Sequence, residues 1–378
     1  MNGWSFSCLL GAVGRDLTKQ STTPHEHDSH LRAAIDWLSQ SQDATGTGGA
    51  AATYNLLTGW AGPYPETSGY IVPTLYDYAA YTGESEPAER AERMTDWVRS
   101  TQLESGAFPG GVDPGPDPDP SVFNTGQILF GLLRTYDETG TEANREAAIE
   151  AGDWLCDVQH ARGYWDQYDY RDEIHAYCSR VAWGLLELYE RTETDRFRTA
   201  AAEHLEWVTN QQRENGWFEY AAFSPDEVPP LHTIAYTIRG LLEGGFVLND
   251  DRLVDVARRS ASRLADIQRS AGPLAGAYSD EWTPADHYCL TGNAQMALVW
   301  LRLADEENDF PECAERAIDF VKSHQQLDAP PQTRGAIAGS SPIWGPYLRL
   351  QYPNWAAKFF ADALLLSMRH ETPPTSER

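Results

Sequence analysis

The densest group of titratable side chains in this sequence lies in one short stretch, residues 163–177, which brings Asp166, Asp169, His175 and Tyr177 close together. Carboxylates, an imidazole and a phenol in such proximity suit proton transfer. Glu66 stands alone at the head of an apolar stretch. Paired with Asp166, Asp169 or Asp286, it would meet the requirement of glycosidic hydrolysis for one carboxylic acid and one carboxylate on either side of the scissile bond. β-Elimination next to a uronate makes different demands. An amide or guanidinium must neutralise the carboxylate, and a phenol or imidazole must take the proton alpha to it. Asn124, Gln127 and Arg180 suit the first task; His175, Tyr177, His232 and Tyr236 suit the second. An epimerase would use the same groups with reprotonation from the opposite face. Spacing alone does not choose among the three.

Further candidates emerge when the apolar helical stretches are aligned on their Leu and Gly positions. One column is polar in all six: Tyr70, Gln127, Arg180, Tyr236, Gln295 and Lys358. Flanking columns add Glu66, Asn124, Tyr177, His232 and Asn354, and Arg239 follows one turn after Tyr236. A dry, unpaired polar group costs about 1–3 kcal/mol, so six at one level point either to a mutually hydrogen-bonded plug or to a wet cavity that recognises a polyhydroxy ligand. The cavity is the reading adopted. Helix N-termini gathered around its mouth, with Arg180 and Lys358, predict a locally positive site that favours a carboxylate or sulfate on the ligand. Loop aromatics such as Trp60, Tyr64, Trp165, Trp217, Trp282 and Trp344 offer faces on which sugars could stack.

The elements that position these residues repeat. An acid–aromatic pair followed five residues later by Gln recurs at Asp36-Trp37…Gln42, Asp96-Trp97…Gln102, Asp153-Trp154…Gln159, Glu206-Trp207…Gln212 and Asp319-Phe320…Gln325, with a degenerate copy ending at Gln268. Each closes an amphipathic helix. A Gly-containing turn carrying an aromatic or apolar residue follows (Gly106, Gly163, Gly216, Gly276, Gly335), and then a second, more apolar helix: 66–81, 124–137, 175–190, 232–243, 293–304 and 354–368. Half-wet outer helices paired with buried inner ones, six times over, predict an all-α fold of hairpins closed into a ring. Residues 29–369 form this single domain; residues 1–28 and 370–378 read as an N-terminal extension and a C-terminal tail.

Outer helix, Gln, Gly-aromatic turn and inner helix in six copies resemble the (α/α)6-toroid superfamily. That group contains the six-hairpin glycosidases, the toroid polysaccharide lyases, and the terpene cyclase and protein prenyltransferase toroids. The resemblance implies the architecture and leaves the reaction open, since one fold hosts many chemistries. A terpene cyclase would call for an Asp-rich protonating motif, and Asp113–Asp119 is Pro-interleaved and in a loop. A prenyltransferase would call for a zinc site, and the adjacent Asp286, His287 and Cys289 are poorly spaced to share one ion. A non-catalytic glycan-binding or scaffold toroid is the remaining alternative. The expectation is an enzyme acting on an acidic, uronate-type glycan, by hydrolysis or elimination, with no metal or cofactor.

Charge excludes other partners. With 56 Asp and Glu against 29 Lys and Arg, the net charge is −27, which argues against nucleic acid and anionic membranes. Lysines number only three (Lys19, Lys322 and Lys358), and an acidic surface short of lysine suits a saline, halophilic setting. No apolar run approaches the ~20 residues of a membrane span. Five scattered cysteines without a CxxC pair read as free thiols, and the cytoplasm is the expected location.

Overall fold

The computed structural model describes residues 3–18, 24–304 and 309–371. Among these residues, six inner helices form a closed ring: α3 (Pro65–Thr82), α5 (Val122–Thr139), α7 (Ser179–Thr192), α9 (Leu231–Leu248), α11 (Leu290–Arg302) and α13 (Asn354–Glu371). Each packs on its neighbours, and α13 returns to α3. Around them lie the outer helices α2 (His27–Asp43), α4 (Glu86–Ser100), α6 (Glu142–Asp157), α8 (Asp195–Thr209), α10 (Asp251–Ala271) and α12 (Phe310–Lys322). The fold is an (α/α)6 toroid. No described helix is long and apolar enough to cross a membrane.

Packing pairs the helices differently from the repeat. Tight turns join α3, α5, α7 and α9 to the outer helices that follow them, through the left-handed residues Gly83, Gly140, Glu193 and Asn249. The last inner helix, α13, packs on the first outer helix, α2, and so closes the ring. The longer outer-to-inner connections all emerge at one end, where the inner helices begin. That end is where a site can be built.

The repeated glutamine has a structural use. Gln102 Nε2 donates to the Gly106 carbonyl in its own loop and to Ala147 O on the next outer helix, both at 2.9 Å. Gln159 does the same with Gly163 and Ala200. Gln325 binds Gly335 O and His30 O, carrying the device across the junction between the last repeat and the first. The turn residue is glycine because the neighbouring outer helix passes so close. Gly335 has φ +78°, and a Cβ there would lie 1.9 Å from Ala33 O.

Two boundary expectations are corrected. Within the presumed N-terminal extension, residues Gly3–Thr18 form a helix, α1. Its Ala12 is buried, and its Asp16 carboxylate accepts the Ile343 N–H at 2.5 Å. Helix α2 likewise begins at His27. Helix α7 starts only at Ser179, because residues 175–178 are an extended step and a short 3₁₀ turn. Of the expected C-terminal tail, 372–378 lie outside the described residues, as do 1–2 and 19–23 of the extension.

Candidate active site

A cavity of about 1600 Å³ opens at the N-terminal ends of the inner helices. Its floor includes Tyr70 and Tyr236, with Phe123 and His232 beside them; Tyr64, Glu66, Asn124, Asp169, Tyr177, Tyr347 and Trp355 rise around it. The loop 110–120 and the segment 168–172 form parts of the wall and meet where the Val122 N–H donates to the Tyr168 carbonyl at 2.7 Å.

Glu66 sits in the first turn of α3, where Pro65 starts the helix without needing an N–H partner. It is 8% exposed. Burial raises its pKa from 4.5 to about 7, with Asp169 adding to the rise; the Tyr64 hydrogen bond and the Arg180 charge oppose it. The Tyr64 hydroxyl donates directly to Glu66 Oε2. Near neutrality, then, Glu66 can carry a proton and hand it on.

Asp169 is the second carboxylate. Its side chain is 1% exposed, and its Oδ2 accepts the His175 ring N–H (Nδ1, 3.0 Å) and the Cys178 thiol (3.0 Å). His175 Nε2 faces the Phe223 carbonyl at 3.3 Å, and Tyr177 stacks on the imidazole with ring centres 4.5 Å apart. His175 itself does not line the cavity; it holds Asp169 from behind. The non-glycine residues Tyr168, Arg171 and Asp172, which flank Asp169, all have positive φ (60°, 60° and 52°). Such strain persists only where surrounding contacts enforce it, and it gathers at functional sites.

The phenols do not suit proton abstraction. Burial, reinforced by nearby Asp169 and Glu66, pushes Tyr177 well above its ordinary range; burial also raises Tyr236, against the Arg180 charge. The Arg180 charge lowers Tyr236, but by less than burial raises it. His232 is neutral, its pKa lowered to about 3 by burial, and its Nδ1 pairs with Gln295 Oε1 at 2.9 Å.

The structure divides the remaining candidates. Glu66, Asp169, Tyr177, Tyr236, Tyr70, Asn124 and His232 come together at the cavity. Asp166 lies off its wall. Trp165 is buried between outer helices, where its indole N–H binds Leu155 O and its ring meets His204. Trp217 and Trp282 pack on each other. Asn354 is a loop anchor whose amide binds Ala51 O and Thr67 Oγ1. Gln127, Arg180, Arg239, Gln295 and Lys358 lie beneath the floor. There the Arg180 Nε donates to Gln127 Oε1, and its guanidinium lies under the Tyr236 ring, 4.7 Å from the centroid. The expected positive mouth is also corrected. Asp113, Asp117 and Asp119 of the loop, with Asp172 and Glu227, join Glu66 and Asp169, whereas among the described residues Arg171 is the only Lys or Arg lining the cavity. The long cationic side chains of the polar column run down into the ring, not up into the opening.

Three participants escaped the sequence reading. Cys178 sits three residues after His175, a spacing that could have flagged it. Phe223 and Tyr347 arrive from distant loops and carry no local signal. Among the described residues, no group of three or more His, Cys, Asp or Glu side chains is placed to hold a metal ion.

No family model matches the sequence, and no curated protein is similar to it by sequence. Solved structures are similar in fold. An unsaturated glucuronyl hydrolase from Bacillus sp. GL1, described as responsible for glycosaminoglycan degradation, superimposes with a TM-score of 0.73 at 15% identity, over 91% of this chain and 97% of that one. A mutant unsaturated glucuronyl hydrolase from Streptococcus agalactiae, complexed with dGlcA-GalNAc6S, gives 0.66 at 12% identity over 94% of each chain. A structure described as a novel alpha-amylase from Clostridium perfringens gives 0.67 at 13% identity over 91% of this chain and 99% of that one.

Proposed function

We propose that this protein is a glycoside hydrolase that releases a uronate-type sugar from the end of an acidic oligosaccharide. The observation that carries the reading is the meeting of Glu66 and Asp169 in one cavity. The first is buried and readily protonated; the second is fixed by donated hydrogen bonds. A readily protonated carboxyl group and a second, rigidly held one in the same cavity are the parts glycosidic hydrolysis requires.

In this reading Glu66 donates its proton to the leaving oxygen. Asp169, held in place by the hydrogen bonds from His175 and Cys178, activates the nucleophile or stabilises the developing positive charge. The closed floor admits a chain end and not a continuing strand. The positive ends of α3, α5 and α9, the neutral donors at the wall and Arg171 at the rim offset the ligand's carboxylate. The similarity to unsaturated glucuronyl hydrolases supports the uronate part. Elimination fits less well, because the cavity's tyrosines are pushed away from the range in which a phenol acts as a base.

The test is a panel of uronate-containing oligosaccharides, with and without an unsaturated uronyl end, assayed in high salt. New reducing ends without new absorbance from an unsaturated product support hydrolysis. An absorbance gain on saturated substrates would replace it with elimination, and no turnover of any member would remove the enzyme reading.

A further inference from the structure

Beneath the cavity floor lies a second, separate cluster. Arg180, Arg239 and Lys358 surround a small cavity of about 40 Å³, also lined by Gln295, Trp183, Tyr236, Phe359 and Asp362. A water needs about 10–15 Å³ of such space, so a monatomic ion fits.

The charges in this cluster do not cancel. Lys358 pairs with Asp362 at 2.5 Å. Arg239 shares Glu243 with Arg302, at 2.6 and 2.7 Å. Arg180 has no carboxylate within salt-bridge distance among the described residues. Its recorded contacts are Gln127 Oε1 and the faces of Phe130, Trp183, Tyr236 and Phe359. Beside it, Gln127 Nε2 is buried and has no hydrogen-bond partner. Arg180 is 4% exposed, and burial, with Arg239 nearby, disfavours its charge. Two guanidinium groups and an ammonium thus face two carboxylates, one of which is shared with a further guanidinium. The negative helix ends give no relief. Arg180 lies three turns from the end of α7 at Thr192, and the helix dipole acts within about the last turn. An uncompensated buried cation is costly, and a small anion between these side chains would neutralise it.

We propose that this pocket is a halide site, taking chloride between Arg180, Arg239 and Lys358 as part of the folded structure. It is distinct from the active-site cavity and independent of the substrate reading. Arg239 and Asp362, both partly exposed, give a route to solvent on the side away from the catalytic cavity.

The experiment measures the melting temperature of the full chain in potassium chloride against potassium gluconate at equal ionic strength, together with bromide-soaked crystals. The expected result is a rise of about 5 °C over a hundredfold increase in chloride above its dissociation constant. The rise should be absent in gluconate and abolished in Arg180→Met, with an anomalous bromide peak among the three cations. Lys358→Met provides the same comparison if Arg180→Met does not fold. Identical melting curves for the two salts, a chloride effect that survives both substitutions, or no bromide peak would each overturn the proposal.

Discussion

Tyr236 and Arg180 occupy the same level on adjacent inner helices, α9 and α7, yet they serve opposite sides of one floor. The Tyr236 ring lines the active-site cavity above, and the Arg180 guanidinium lies against the underside of that ring. Above the floor, carboxylates predominate and the Tyr64 hydroxyl donates to Glu66. Below it, guanidinium and ammonium groups predominate and aromatic faces replace water. Polar residues at one sequence register therefore do not form one site. Short or flat side chains stay at the opening, whereas Arg239 and Lys358 follow the axis inward to Glu243 and Asp362, and Arg180 stays against the aromatic underside of the floor. The lower layer still influences the upper: the charge of Arg180 opposes the rise in the Glu66 pKa.

This contrast can be broken most decisively at Glu66. Glu66→Gln removes the proton donor and should lower kcat by about 10³–10⁴-fold, with a melting temperature unchanged or higher. A loss under tenfold in the oligosaccharide assay would end its role as acid. Asp169→Asn should cost a similar factor and also destabilise the fold, because His175 and Cys178 lose their shared carboxyl acceptor; calorimetry separates it from the Glu66 variant. His175 acts through Asp169. His175→Ala should therefore reduce kcat by about 10–100-fold while KM stays within about threefold, with partial recovery in His175→Gln.

The pH dependence follows from Glu66. Its pKa in the fold, about 7, is above the 4.5 of the unfolded chain. Burying it costs nothing below pH 4.5, and the cost grows to roughly 3 kcal/mol as pH rises to about 7. Wild-type stability should therefore fall relative to Glu66→Gln between those limits, and kcat/KM should decline above about pH 7 as the acid loses its proton. Denaturant unfolding and a pH–rate profile measure the two. A flat stability difference would contradict the assigned shift. The smallest effect is expected below the floor. Lys358→Met should change kcat/KM by less than about threefold; a loss approaching that of Glu66→Gln would show that the lower layer belongs to the catalytic site after all.

Much was legible from one-dimensional pattern. Hydrophobic periodicity and the glutamine–glycine repeat determined the six inner and six outer helices of the ring, though not α1, because amphipathic period and turn chemistry are local. They also brought Glu66 and the 163–177 stretch forward, since titratable residues at the start of an apolar helix are conspicuous. Pairing within the hairpins was not legible, because the repeat marks where outer helices are stapled to one another and not which helices share a tight turn. Only the tertiary structure separated Asp169 from Asp166 and withdrew Arg180, Lys358, Gln127 and Gln295 from the cavity. It also introduced Cys178 and Tyr347. Sequence determines which side chains exist at each level of the ring. Whether a side chain reaches water or another helix depends on its length, its rotamer and what arrives from loops far away in the chain, and these are decided only when the ring closes.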